Sequence, residues 1–117
     1  MNDERRPAIV LCAPTFEARL VDIERYWHRV GHPESFDRLS ALIDDKLVPL
    51  LARFPAIGRH FLSLVDEMLG PMDRAALREV VFDDYVVLYR FTEETVELLT
   101  LRHTKETLFK LPEQSIP

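Results

Sequence analysis

The sequence predicts an α+β domain in which a helical hairpin packs on a small, mainly antiparallel sheet. Three observations predict it. Two adjacent runs carry apolar residues at steps of three and four, first Phe16, Leu20, Ile23, Trp27 and Val30, then Phe36, Leu39, Ile43, Leu47, Leu50 and Phe54. The period then changes, and the C-terminal third is rich in Val, Leu, Tyr and Phe between short polar turns. A short apolar run between Pro7 and Pro14 supplies a leading strand. The expected order is β-α-α-(α)-β-β-β in a single domain over residues 1–117.

Ala8–Ala13 reads as a short buried or edge strand, with Cys12 mid-strand, buried and inert. Thr15 suits an N-cap and Glu17 the first turn of the helix that follows. Gly31 stops that helix. Its polar side carries Arg19, Asp22, Glu24, Arg25 and Arg29, while Trp27 lies on the core stripe. Pro33 opens the second helix and Glu34 favours its dipole. Pro49 lies inside the second pattern and predicts a kink. Phe54–Arg59 ends that helix. Residues 60–76 fit either a short third helix through Phe61, Leu64, Val65, Met68 and Leu69 or an apolar flap.

Leu77–Phe82, Tyr85–Phe91 and Val96–His103 read as three strands. Asp83-Asp84 is a two-residue turn, which pairs Phe82 with Tyr85, Val80 with Val87 and Arg78 with Tyr89. The turn Thr92–Thr95 pairs Phe91 with Val96, Tyr89 with Leu98, Val87 with Thr100 and Tyr85 with Arg102. One face then carries Arg78, Val80, Phe82, Tyr85, Val87, Tyr89, Leu98, Thr100 and Arg102. The other carries Val81, Val86, Leu88, Leu99 and Leu101, with Glu79, Arg90 and Glu97 at one end. Its aliphatic centre makes this second face the expected helix platform, and the mixed first face the expected recognition surface.

Composition excludes several classes. Fifteen Lys+Arg against twenty Asp+Glu give a net charge of −5, and the pI is near 5.3. That balance disfavours direct DNA binding and broad contact with nucleic-acid backbones. One cysteine rules out a disulfide framework and a cysteine zinc cluster, and three glycines leave no room for a Gly-rich phosphate loop. No apolar run spans a bilayer and the first ten residues are no secretory signal, so a soluble cytoplasmic protein without membrane contact is expected. His28 and His32 have helical metal spacing, but Gly31 interrupts it; no metal and no cofactor are expected.

Four segments together resemble the RelE/ParE family of bacterial toxins from type II toxin–antitoxin systems. They are Phe54-Pro55-Ala56-Ile57-Gly58-Arg59, Leu77-Arg78-Glu79, Tyr85-Val86-Val87-Leu88-Tyr89-Arg90 and Leu101-Arg102-His103-Thr104-Lys105-Glu106. The resemblance spans roughly residues 8–110. It implies a helical hairpin on a small sheet, a cognate antitoxin partner, growth inhibition and a part in plasmid stabilisation. It also implies one of two targets: DNA gyrase, inhibited by protein contact in ParE-like members, or ribosome-bound messenger RNA, cut in RelE-like members.

Metal-independent RNA cleavage needs a base, an acid and a cation for the phosphate. The candidates for those roles are Arg78, Tyr85, Tyr89, Arg102, His103 and Lys105. RelE-like toxins resemble one another in an Arg just before the first hairpin turn, where this chain has Phe82. The Leu77-Arg78-Glu79 pattern looks ParE-like. The expectation is therefore a non-enzymatic, ParE-like inhibitor of gyrase, with Arg59, Arg78, Arg102 and Lys105 as target-binding residues. The alternative is a RelE-like ribosome-dependent endoribonuclease. Simpler roles stand beside these: Arg78 as a cation over Tyr89, Tyr85 and Tyr89 as packing residues, and Arg59 as a loop anchor.

Overall fold

The computed structural model describes residues 6–60 and 77–105. Strand β1 (Ile9–Cys12) leads into helix α1 (Pro14–Arg29). Pro14 itself lies in the first turn, where its missing N–H leaves nothing unpaired, so Ala13 rather than Thr15 is the cap. Gly31 ends α1 with φ at +85°, a conformation that disfavours any Cβ. Helix α2 (Pro33–Leu42) repeats the Pro-first start. His32 pairs with Glu34 there at 3.2 Å. The Glu34 carboxyl is held below its usual value first by its own backbone N–H and then by His32.

The expected kink at Pro49 takes a specific form. Pro49 offers no N–H to the preceding turn and its ring crowds the carbonyl there. The chain widens one turn earlier, where Ile43–Leu47 is π-helical and the Val48 N–H bonds the Ile43 carbonyl. Helix α3 (Val48–Arg53) continues from it. Leu39, Ile43, Leu47 and Leu51 recur every four residues and are all buried. At about 3.6 residues per turn such a stripe drifts round the helix, and the wide turn takes the drift back.

The sheet has the order β1-β5-β4-β3-β2, with β2 (Arg59–His60), β3 (Leu77–Phe82), β4 (Tyr85–Phe91) and β5 (Thr95–His103). β1 pairs parallel to β5, and the other pairings are antiparallel. The two-residue β2 has too little sequence to show a period, and the sequence reading contains no strand there. The expected third helix or flap lies outside the described residues.

The first hairpin has the expected register, from Phe82↔Tyr85 to Arg78↔Tyr89. Asp83 takes the positive φ, 58°, that its turn requires. The second hairpin begins as expected, with Phe91↔Val96 and Tyr89↔Leu98. A β-bulge then inserts Leu99, and the following pairs become Leu88↔Thr100, Val87↔Leu101, Val86↔Arg102 and Tyr85↔His103.

The bulge and the packing together overturn the face assignment. The helices pack on Tyr85, Val87, Tyr89, Val96, Leu98 and Leu101, the mixed face rather than the uniformly aliphatic one. Thr100 and Arg102 move to the opposite face, beside Leu88 and Val86. Val81, expected in the platform, is 59% exposed. The tyrosines fit the core because each phenol has a polar partner at its rim: Tyr85 accepts from Trp27 Nε1 at 3.3 Å, and Tyr89 bonds the loop after α3. Aliphatic uniformity misses this, since it scores a tyrosine as polar although most of its surface is apolar.

Leu98→Ala should therefore cost about 2–5 kcal/mol in urea unfolding, and Val81→Ala within about 0.5 kcal/mol, the order opposite to the one the aliphatic platform requires.

Candidate functional site

Three of the four family-like segments, 54–59, 77–79 and 85–90, meet at one end of the sheet. Phe54–Ile57 form a turn closed by the Ile57 N–H on the Phe54 carbonyl at 3.0 Å. The Tyr89 hydroxyl donates to the Pro55 carbonyl at 2.7 Å and accepts from the Gly58 N–H at 2.9 Å. Arg78 Nη1 donates to the Gly58 carbonyl at 3.1 Å, and its guanidinium lies 5.5 Å from the centre of the Phe91 ring, not over Tyr89. Arg59 grips Glu79 through Nε and Nη2 at 3.1 and 2.9 Å. A Cβ on Gly58 would sit 2.7 Å from the Glu79 carbonyl oxygen and 2.8 Å from the Tyr89 hydroxyl, so the close approach demands glycine. Burial pushes the Tyr89 hydroxyl above its usual pKa, against the opposing effects of the Gly58 N–H and the Arg78 charge.

The other end of the same strands opens a cleft of about 660 Å³ between α1 and the Tyr85/His103 end of the sheet. That volume lies within the range of small-ligand sites. Its floor is aromatic: Trp27, Tyr85 and the His103 ring, which meets Tyr85 edge-on at 5.3 Å. Tyr26 stands at the rim, 47% exposed and edge-on to Trp27. Arg25, Arg29 and Lys105 line the same cleft. Arg29 lies 5.6 Å from the Tyr26 ring centre. Arg19 is buried below, donating from Nε to the Leu101 carbonyl at 3.0 Å and facing Asp22 at 3.6 Å. His103 Nδ1 accepts the Lys105 backbone N–H at 3.1 Å, which assigns the proton of the neutral ring to Nε2.

The six residues expected for nuclease chemistry therefore divide. Tyr85, His103 and Lys105 share the cleft. Arg78 and Tyr89 lie in the loop knot, four residues further along β4 or its partner, a separation of about 13 Å. Arg102 pairs with Val86 on the opposite face and donates from Nη1 to the His103 carbonyl at 3.3 Å. Of the expected target-binding set, Arg59 and Arg78 lie at the knot and Lys105 at the cleft.

In the sequence Arg25, Tyr26 and Arg29 look like an ordinary solvated helix side and do not stand out as site residues. The signal present was a pair of arginines four apart beside two aromatics at a helix end. Cys12 is exposed rather than buried. Its thiol is pushed up first by partial burial, then by Glu17 and Asp44, which favours the unreactive protonated form. Among the described residues no group of three metal-ligating side chains converges, and no helix is long and apolar enough to cross a membrane.

Comparison with known proteins adds three findings. The family model described as the ParE toxin of type II toxin–antitoxin system, parDE, matches residues 10–108. The chain is similar to a chain of the RelBE2 toxin–antitoxin complex of Mycobacterium tuberculosis, with 19% identity and a TM-score of 0.55, over 87% of this chain and 97% of that one. It is also similar to a chain of the chromosomal ParDE system of P. aeruginosa, with 14% identity and a TM-score of 0.60, over 82% of this chain and 95% of that one. At such identities the structures share a fold. No curated protein matches the sequence.

Tyr89→Phe should lower stability by about 1–3 kcal/mol, since it leaves the Gly58 N–H without its buried acceptor. Gly58→Ala should be the more damaging, because a backbone oxygen blocks its methyl; thermal melts of the two variants rank them. The raised Tyr89 pKa has a signed consequence. The unfolded chain loses this proton near pH 10 while the folded chain keeps it, so stability is full below that pH and falls above it. Urea midpoints from about pH 9 to about pH 11 should fall more steeply for the wild type than for Tyr89→Phe.

Proposed function

Because this chain belongs to the ParE toxin family of type II toxin–antitoxin systems, we propose that it inhibits DNA gyrase by protein–protein contact and is held in check by a cognate antitoxin. The observation that carries this reading is the division of the nuclease candidates. A phosphodiester transition state needs its base, acid and cation within hydrogen-bond reach of one phosphate. Arg78 and Tyr89 are spent on the Pro55–Gly58 loop, about 13 Å from Tyr85 along β4. Phe82 at the turn supplies no cation. The net charge of −5 opposes docking into ribosomal RNA.

In this reading Arg59, Arg102 and Lys105 meet the target directly. Arg78 serves the same surface by holding the loop that presents Arg59. Both structural neighbours belong to toxin–antitoxin assemblies, which supports an antitoxin partner for this chain.

A second reading has one observation in its favour. Tyr85, His103 and Lys105 converge in a cationic cleft, the arrangement a RelE-like, ribosome-dependent and metal-independent nuclease would use. Against it, the Lys105 N–H occupies the Nδ1 lone pair of neutral His103, and Nε2 then carries the proton. That ring can donate but is not set to act as the base.

Purified protein added to gyrase and relaxed plasmid should block supercoiling, and Lys105→Glu should weaken the block while leaving the melting temperature unchanged. Unimpeded supercoiling, together with loss of messenger on programmed ribosomes, would reverse the ranking.

A further inference from the structure

The α1 cleft combines charge and apolar surface in a way the rest of the protein does not explain. The chain is acidic overall, yet Arg25, Arg29 and Lys105 gather round one opening. Among the described residues none of these three has a carboxylate within ion-pair distance, whereas Arg19, Arg38, Arg59 and Arg90 each do. Asp22, the only acid lining the cleft among the described residues, already faces Arg19. Like charges gathered without counter-charges repel one another, and an incoming anion relieves that repulsion. The aromatic floor of Trp27 and Tyr85, with Tyr26 at the rim, offers an apolar seat beside them.

We propose that this cleft docks an acidic peptide segment of a partner protein, its carboxylates on Arg25, Arg29 and Lys105 and one bulky apolar side chain on Tyr26, Trp27 and Tyr85. The choice of a peptide over RNA rests on the protein-contact reading above and on charge. A polyphosphate backbone approaching a protein of charge −5 meets repulsion from most of its surface, whereas a short segment meets only the local cationic field. The cleft also has the mixed character of a peptide anchor site, aromatic surface beside cationic side chains. The partner's charge steers encounter and its apolar residue sets the lifetime of the complex.

Trp27 is the sole tryptophan and lies in the cleft, so its fluorescence reports occupancy. The probe is the synthetic peptide acetyl-Glu-Asp-Leu-Glu-Asp-amide, which absorbs no exciting light. Titration into the full-length protein should give a saturable change in Trp27 emission. The double variant Arg25→Glu/Arg29→Glu should weaken binding about tenfold or more, and Lys105→Glu should weaken it independently. Arg53→Glu, the same charge change as Lys105→Glu but on α3 away from the cleft, should hold affinity within about twofold. The absence of saturation at millimolar peptide would overturn the proposal. So would equal binding of the Gln/Asn version of the peptide, an equal loss in Arg53→Glu, or tighter binding of a short uridine oligonucleotide, which would assign the cleft to phosphate. None of these readouts involves gyrase, so failure here and failure of the supercoiling assay are separate results.

Discussion

The hydroxyl of Tyr89 ties the central strand of the sheet to the end of the helical layer. It donates to the Pro55 carbonyl and accepts from the Gly58 N–H, so one buried atom satisfies two backbone groups of the turn that follows α3. Gly58 has to lack a side chain for the approach to occur, and Arg78 then closes the same loop from the neighbouring strand. Once the loop is fixed, β2 begins at Arg59 in register with Glu79, and α3 is anchored where the Ala52 carbonyl accepts the Ala8 N–H below β1. The β2 edge of the sheet and the loop by which the chain leaves the helices thus depend on one phenol. Its cost is burial of a polar group, which the two hydrogen bonds offset and which leaves its mark as a raised pKa.

The second organising feature is the Leu99 bulge. An extra residue in β5 turns Leu101 and His103 towards the helices and sends Thr100 and Arg102 to the other face. Leu101 then completes the core, and its carbonyl receives the buried Arg19. His103 comes to lie against Tyr85 and under Trp27's helix, so the cleft exists because the strand is irregular there. A regular strand would put Arg102 opposite Tyr85 and a different chemistry at that end.

Much of this was legible in the sequence. The two helices, the Pro33 start of α2, the Asp83-Asp84 turn and the register as far as Tyr89↔Leu98 follow from local rules that the structure obeys, whereas Val30 and Phe54, expected on the helix stripes, are exposed. Arg90, opposite Glu97 across β4 and β5, pairs with it at 2.8 Å, and Glu79 pairs with Arg59. What failed was non-local. Nothing in Leu98-Leu99-Thr100 marks a bulge, because a bulge is selected by what lies on both sides of the sheet. The choice of helix platform failed for a related reason. Tyr85 and Tyr89 read as polar until Trp27, Pro55 and Gly58, far away in sequence, are seen to satisfy their hydroxyls. Of the site, the residues at the knot were visible as a motif, and those of α1 were not.

That last contrast has a physical basis and a consequence. Three of the four segments that carry the family resemblance are bound to one another: Arg59 to Glu79, Arg78 to Gly58, Tyr89 to Pro55. Tyr89, whose hydroxyl is consumed inside the fold, has little left to offer a target, so a motif built round it identifies the scaffold better than it identifies the activity. The groups with unspent charge, Arg25, Arg29 and Lys105, lie at the opposite end of the strands on an α1 side and a strand exit that folding does not constrain. Substitutions there alter partner choice at little cost to stability, whereas substitutions at the knot cost stability before they touch recognition. Separating the two along one strand lets the same frame keep its loop intact while the cleft is retuned to a different acidic partner.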